Sequence, residues 1–488
     1  MSIPLTLRAG WPRLVATARR PWVRAVLVAA AATLAGGVLT VLGTRYGPAV
    51  IVGLPVTLLL LGWALERPLV AVAAIPLSMP LAFTPLPGGL QVIHVATLLA
   101  VAAVVANRLS AGRGALPAPP GTGLLLGLVG LVAVAVVGAP NRGFAVNQTI
   151  TVIVAALGLL AVVGACRDFP DVRRMVGLIL LGGVVVCGLA LPQASSVSGS
   201  AGAVNVSGVT GIFSEHNQFG AFAAAILLLA AGMAFGARTR WRRWGAGITA
   251  VVALGCVGLA LSRGAYLGTA LGGVVFVLLV PQARRWLVAS IAVLVAGLGV
   301  FLFVAPDNPQ VRLIIARFGT FSNPAANPED DRPAIWAEAL RQIRLNPWTG
   351  SGPANFPVVA AHAQSPVTFF VPAHAHDVPL TVAAEIGVPA AIVLIALTLL
   401  WTRVVLRAGR ALPDRRDSAV MAGVAGAAAT FIGEGVFDAT LRSSAILVLL
   451  CLCVGLALSA AEHAGGDRSA LPSPAGGLRR PTVSAEPG

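Results

Sequence analysis

The stretch Pro372-Ala373-His374-Ala375-His376-Asp377-Val378-Pro379-Leu380, followed by Glu385-Ile386-Gly387, marks the return of the chain from polar to apolar sequence. The polar segment that it closes, about 306–377, is unusual in a chain otherwise built of apolar blocks. Loops beyond about 12–15 residues are uncommon and usually functional. Around it, apolar stretches recur at roughly 22–44, 48–65, 68–84, 89–107, 121–139, 145–165, 174–191, 217–237, 244–261, 264–281, 286–305, 378–402, 418–437 and 443–461. Most are long enough to cross a bilayer as helices. Stretch 68–84 is short and carries prolines, and 264–281 follows its neighbour almost without a loop. The expected fold is therefore an all-α polytopic membrane protein of about 12–14 transmembrane helices, with one long extracytoplasmic loop containing short helices.

Composition supports that class. Of 488 residues, 57% are hydrophobic and 11% are charged, against about 25% charged in soluble domains. A soluble domain comparable in size to the membrane part is excluded. The formal charge of +16 raises the question of nucleic acid. The basic residues, all arginine, sit in short loops between apolar runs, which fits topology and anionic headgroups rather than a nucleic-acid partner. Cys166, Cys187, Cys256, Cys451 and Cys453 lie in or beside apolar segments. They show no metal-ligand spacing and read as small packing residues. The run after Trp22 is about 20 residues long and reads as a retained signal anchor.

The arginines orient the chain. With fourteen spans and an internal N-terminus, twenty-five of the 34 fall on the inside, four in short outside loops and five in the long loop. Short loops carry the rule, so both termini are expected in the cytoplasm of a cell bounded by this inner membrane, with the long loop outside. The organisation is then a cytoplasmic segment 1–21, a helix bundle 22–305, an extracytoplasmic loop 306–377, further spans 378–461, and a disordered cytoplasmic tail 462–488.

Several polar residues stand where chemistry is possible. Ile335, Trp336, Ala339, Leu340 and Ile343 fall on one helical face within 334–345, with Asp331 suited to the N-cap and Pro333 to an early position. Such a helix suits the membrane surface or packing on the bundle. Arg332 offers forked donors that match phosphate oxygens. Arg263, in Leu261-Ser262-Arg263-Gly264-Ala265, lies between apolar runs, where a charge is costly unless paired or functional. His374 and His376 suit proton transfer near neutral pH. Zinc is not expected, because no third ligand stands at usual spacing and His362 is far off. Glu385 lies nine residues beyond His376 in the apolar run and needs a partner, plausibly an arginine. Asn217 reads as an N-cap or a site residue. Glu434 and Asp438 can pair with Arg442 at helical spacing, a structural role.

Taken together these pieces resemble the O-antigen ligase / O-antigen polymerase superfamily of bacterial polytopic membrane glycosyltransferases, over about 205–400. Gly211-Ile212-Phe213 with Asn217 is similar to the family's stretch before a span. Leu261-Ser262-Arg263-Gly264-Ala265 is similar to its Ser-Arg-Gly element. Arg332, Trp336, Asn346-Pro347 and Gly350-Ser351-Gly352 follow its Arg, Trp, Pro, Gly-x-Gly order. His376, Leu380, Glu385 and Gly387 match its histidine element, except that Asp377 replaces the usual asparagine.

The resemblance implies a glycan donor on a polyprenyl (undecaprenyl) diphosphate, an acceptor hydroxyl on a glycan, lipid or protein, and a reaction without metal or other cofactor. It implies His376 as general base, Arg263 and Arg332 as the diphosphate clamp, and His374, Glu385 and Asn217 in support. It does not separate ligase from polymerase. The rival readings are a polyprenyl-glycan flippase, to which many spans are suited, an inactive membrane scaffold, and another multi-span glycosyltransferase such as a peptidoglycan polymerase.

Overall fold

The structure, a computed structural model, describes residues 67–86, 89–197, 208–285, 332–362 and 371–469, with isolated positions between 288 and 312. The expected spans 22–44 and 48–65, nearly all of 286–305, the cytoplasmic segment 1–21 and the N-cap residue Asp331 lie outside the described residues.

Among the described residues the architecture is helical, with one isolated β-bridge between Pro85 and Gln91. The helices are α1 (Pro68–Leu77), α2 (Val92–Ser110), α3 (Thr122–Ala135), α4 (Arg142–Ala165), α5 (Phe169–Ala190), α6 (His216–Phe235), α7 (Arg240–Leu259) and α8 (Arg263–Leu279). After these come α9 (Arg332–Leu345), α10 (Phe356–His362), α11 (Val378–Glu385), α12 (Val388–Ala411), α13 (Arg415–Glu434) and α14 (Ser444–Ser469). Among the described residues, six apolar helices are long enough to cross a membrane: Val92–Ser110, Arg142–Ala165, Phe169–Ser195, His216–Phe235, Val388–Arg410 and Ser444–His463. The chain is a multi-pass membrane protein.

Two apolar runs are subdivided. The run 68–84 yields the ten-residue α1, which contains Pro76, followed by a short 3-10 turn at Met79–Leu81. The run 378–402 breaks at Gly387, whose φ of +104 sits in a region that only glycine occupies readily. A Cβ there would also lie 2.3 Å from the Trp348 carbonyl oxygen. Glu385 therefore ends a short helix of its own instead of lying inside a span.

Small residues allow the bundle to close. α13 packs on both α6 and α8. A Cβ on Gly232 of α6 would stand 2.8 Å from the Gly423 Cα, and one on Gly272 of α8 would stand 2.5 Å from the Gly426 carbonyl oxygen. Close backbone approach through small side chains is the usual packing device where lipid offers no hydrophobic drive. The two ends of α13 differ in chemistry. Its start carries the Asp414–Arg238 and Asp417–Arg173 pairs, on the arginine-rich side of the bundle. Its far end, about 30 Å away at 1.5 Å per residue, carries Glu434 and leads to Asp438.

Candidate active site

Local chemistry fixes the histidine segment. Asp377 caps α11, its carboxylate accepting from the Leu380 N–H at 2.6 Å, and Pro379 occupies the first turn, where no N–H is missed. The Val378 N–H donates to the Gly435 carbonyl at 2.7 Å, which ties the start of α11 to the end of α13. Upstream, the Trp336 indole donates to the Ala375 carbonyl at 3.0 Å, and the Ala375 N–H donates to Thr381 Oγ1 at 3.2 Å. His376 itself sits at φ +50, a conformation that costs a non-glycine residue of order 1–3 kcal/mol.

The result is a convergence on Asp438. His376 Nδ1 lies 3.1 Å from Asp438 Oδ1, and His374 Nε2 lies 3.6 Å from the same oxygen and 4.0 Å from Glu215 Oε2. The Asn217 amide donates to Asp438 Oδ2. Asp438 is buried and His376 is part-exposed. Facing a carboxylate, His376 Nδ1 carries the proton and donates, which leaves Nε2 with its lone pair. The His376 N–H donates to His374 Nδ1 at 3.2 Å, so His374 keeps its proton on Nε2, toward the acids. Burial pushes the His374 imidazole down to about 3, against the opposing pull of Asp438, so it is neutral at physiological pH. Burial opposes the charge of Asp438 too, but the His376 hydrogen bond and both imidazoles outweigh it and hold the carboxyl below its ordinary range. Burial, and then the Asp438 charge, push Glu215 up.

Both arginines open helices around this end of α13. Arg263 begins α8, where Ser262 caps the helix by accepting from the Ala265 N–H at 3.2 Å. The next residue, Gly264, packs on Glu434, whose Oε1 would lie 3.3 Å from a Cβ there. Arg332 begins α9, and its charge also acts on Glu434. The two guanidinium-bearing helix starts thus share one neighbour, one helical turn before Asp438.

Glu385 is held by a second cluster. Its carboxylate accepts from the Ala354 N–H at 2.9 Å and the Phe356 N–H at 3.2 Å, with Arg442 Nη1 at 3.7 Å. The turn Gly350-Ser351-Gly352 lies against it, with Ser351 N–H and Gly352 N–H donating to the Ala384 and Glu385 carbonyls at 2.9 and 2.8 Å.

Three sequence readings change here. Asn217 does not cap α6. Glu215 holds the cap position, and Asn217 reaches Asp438 from inside the first turn. Arg442 does not pair with Glu434 or Asp438 but with Glu385 and the Ala373 carbonyl. The apolar face of α9 is divided. Ile335 and Ala339 are buried with Phe356, Ala375 and Ala384, while Trp336 and Leu340 are exposed. A third group also joins the two histidines. Among the described residues, His374, His376 and Asp438 bring one ligand atom each within 4.8 Å of one another, a set that can hold a transition metal. Asp438 is 62 residues past His376, beyond any local ligand spacing.

Asp438 and Glu215 were not read as site residues from sequence. For Asp438 the available signal is an acid at the outer edge of an apolar run, which helical spacing to Arg442 assigns to a structural pair.

No curated protein matches the chain. Residues 248–395 match the family model described as O-antigen ligase. That segment contains Arg263, Arg332, His374, His376 and Glu385, while Glu215, Asn217 and Asp438 lie outside it. Over residues 248–395, this all-α membrane chain is therefore similar to the O-antigen ligase family.

Proposed function

We propose that the protein is a membrane glycosyltransferase of cell-surface polysaccharide biosynthesis. It moves a glycan from a polyprenyl (undecaprenyl) diphosphate to an acceptor hydroxyl, as a ligase or a polymerase, at the outer face of the cytoplasmic membrane. The observation that carries this reading is the His376–Asp438 pair, which leaves His376 Nε2 as a proton acceptor at the end of the bundle opposite the arginine-rich one.

In this mechanism the acceptor oxygen forms a bond to the anomeric carbon as the carbon–oxygen bond to the diphosphate breaks. His376 Nε2 takes the hydroxyl proton. Asp438 holds the imidazole in the required tautomer and balances its charge when it protonates. The polyprenyl diphosphate leaves with the bonding electrons, and Arg263 and Arg332 at two helix starts stabilise that charge. Forked guanidinium donors do here what a divalent cation does elsewhere, so transfer proceeds without one.

An apolar cavity of about 290 Å³ supports a lipid-linked donor. It runs among Leu125, Val152, Leu394 and Trp401 and reaches Val378, Pro379 and Gly435, beside the histidine segment. An isoprenoid chain fits such a lining.

The test is accumulation in the host. Loss of the protein should raise the pool of polyprenyl-diphosphate glycan on the outer leaflet, and Arg263→Ala or His376→Ala should fail to lower it again. Glycan-lipid retained on the inner leaflet would instead mark a transporter.

A further inference from the structure

A second cavity of about 690 Å³, of mixed apolar and polar lining, opens beside the histidines, lined in part by His374, Glu215 and Arg442. That volume suits a small-molecule or saccharide ligand. Its far wall is α4, which contributes Phe144, Asn147, Gln148 and Thr151. These residues fall in the first turns of a helix apolar enough to span the membrane. Polar side chains in such a helix are costly unless they face a cavity or a partner. Asn147 is exposed and Gln148 part-exposed toward the cavity, and among the described residues no other side chain is hydrogen-bonded to either amide. Phe144 beside them is 52% exposed.

We propose that this cavity is a binding site for the neutral saccharide end of the acceptor, with Asn147 and Gln148 reading its hydroxyls and Phe144 packing on a sugar face. The inference rests on the transferase reading and names its acceptor class. Carboxamides match vicinal hydroxyls as paired donors and acceptors, and an exposed aromatic ring covers the C–H face of a pyranose. Charge decides against an acidic sugar. Among the described lining residues the arginine, Arg442, is committed to the Ala373 carbonyl and to Glu385, and Glu215 would repel a carboxylate. Position decides for the acceptor. The cavity meets the site at His374, whose ring centroid is 4.3 Å from that of His376, the group that takes the acceptor proton. The α4 residues lie outside the family-matched segment 248–395.

Full-length protein in nanodiscs should show saturation-transfer NMR signals from neutral oligosaccharides released from the host's surface polymer. Asn147→Ala and Gln148→Ala should each weaken that binding about five- to ten-fold, the scale of one or two lost hydrogen bonds. Val146→Ala, on the same helix but off the cavity, should not. In transfer assays the two variants should raise KM for acceptor and leave KM for donor unchanged. Equal binding by wild type and both variants, preference for an acidic oligosaccharide, or a rise confined to donor KM would overturn the proposal. Binding without any transfer would count against the transferase reading and leave the saccharide site standing.

Discussion

His376 Nδ1 stands 3.1 Å from Asp438 Oδ1 across 62 residues of sequence. The contact joins a strained loop position to the end of α13, and it sets which imidazole nitrogen is free. Asp438→Asn should keep the shape and lose the tautomer. An amide nitrogen turned toward His376 would move the proton to Nε2. Transfer should fall about 10²- to 10⁴-fold, the range general acid–base groups contribute, with little change in thermal midpoint. Steady-state kinetics with a melting control checks this.

Asp377 is a helix cap, which explains why it can replace asparagine. Both side chains accept well at an N-cap. Asp377→Asn should therefore retain activity within a few-fold and stability within about 0.5 kcal/mol. Asp377→Ala should cost about 1 kcal/mol and loosen the adjacent His376. Denaturation in detergent alongside activity separates the two variants.

Glu385 satisfies two backbone N–H groups and sits 3.7 Å from Arg442. Glu385→Ala strands those donors, at about 1–3 kcal/mol for each buried unsatisfied group. It should lower both the melting temperature and the yield of folded protein. Glu385→Gln keeps one carbonyl acceptor and should lose less. Equal melting of wild type and Glu385→Ala would refute this role.

Burial holds the His374 imidazole at about 3, below its ordinary 6.5. The folded protein therefore keeps His374 neutral while the unfolded chain protonates it. This contribution is fully present above pH 6.5 and is lost as pH falls toward 3, at up to about 1.4 kcal/mol per pH unit. His374→Asn should melt with a shallower pH dependence than wild type between pH 6.5 and 4. Parallel profiles would contradict it.

The helices were legible because apolar runs have length, and most of those within the described residues fall close to the expected bounds. The runs 68–84 and 378–402 are subdivided, and 378–402 and 443–461 continue as helix to Ala411 and Ser469, beyond their expected ends at 402 and 461. The break at Gly387 was not, since a left-handed glycine inside an apolar run leaves hydropathy unchanged. His376, Arg263, Arg332 and Glu385 were legible as polar groups in places costly for them. Asp438 was not. Its partners come from α6 and from the loop before α11, and its four-residue spacing to Arg442 favoured a local pair. The Gly435–Val378 backbone bond that brings Asp438 to the histidines is a tertiary contact with no local signature.

The most direct measurement is polyprenyl diphosphate release by purified protein in lipid, supplied with polyprenyl-diphosphate glycans from its host, with EDTA present. Release that persists in EDTA and disappears in His376→Ala is the expected result. Release abolished by EDTA and restored by zinc would contradict it and hand His374, His376 and Asp438 to a metal. Undiminished release by His376→Ala would remove the base from the mechanism.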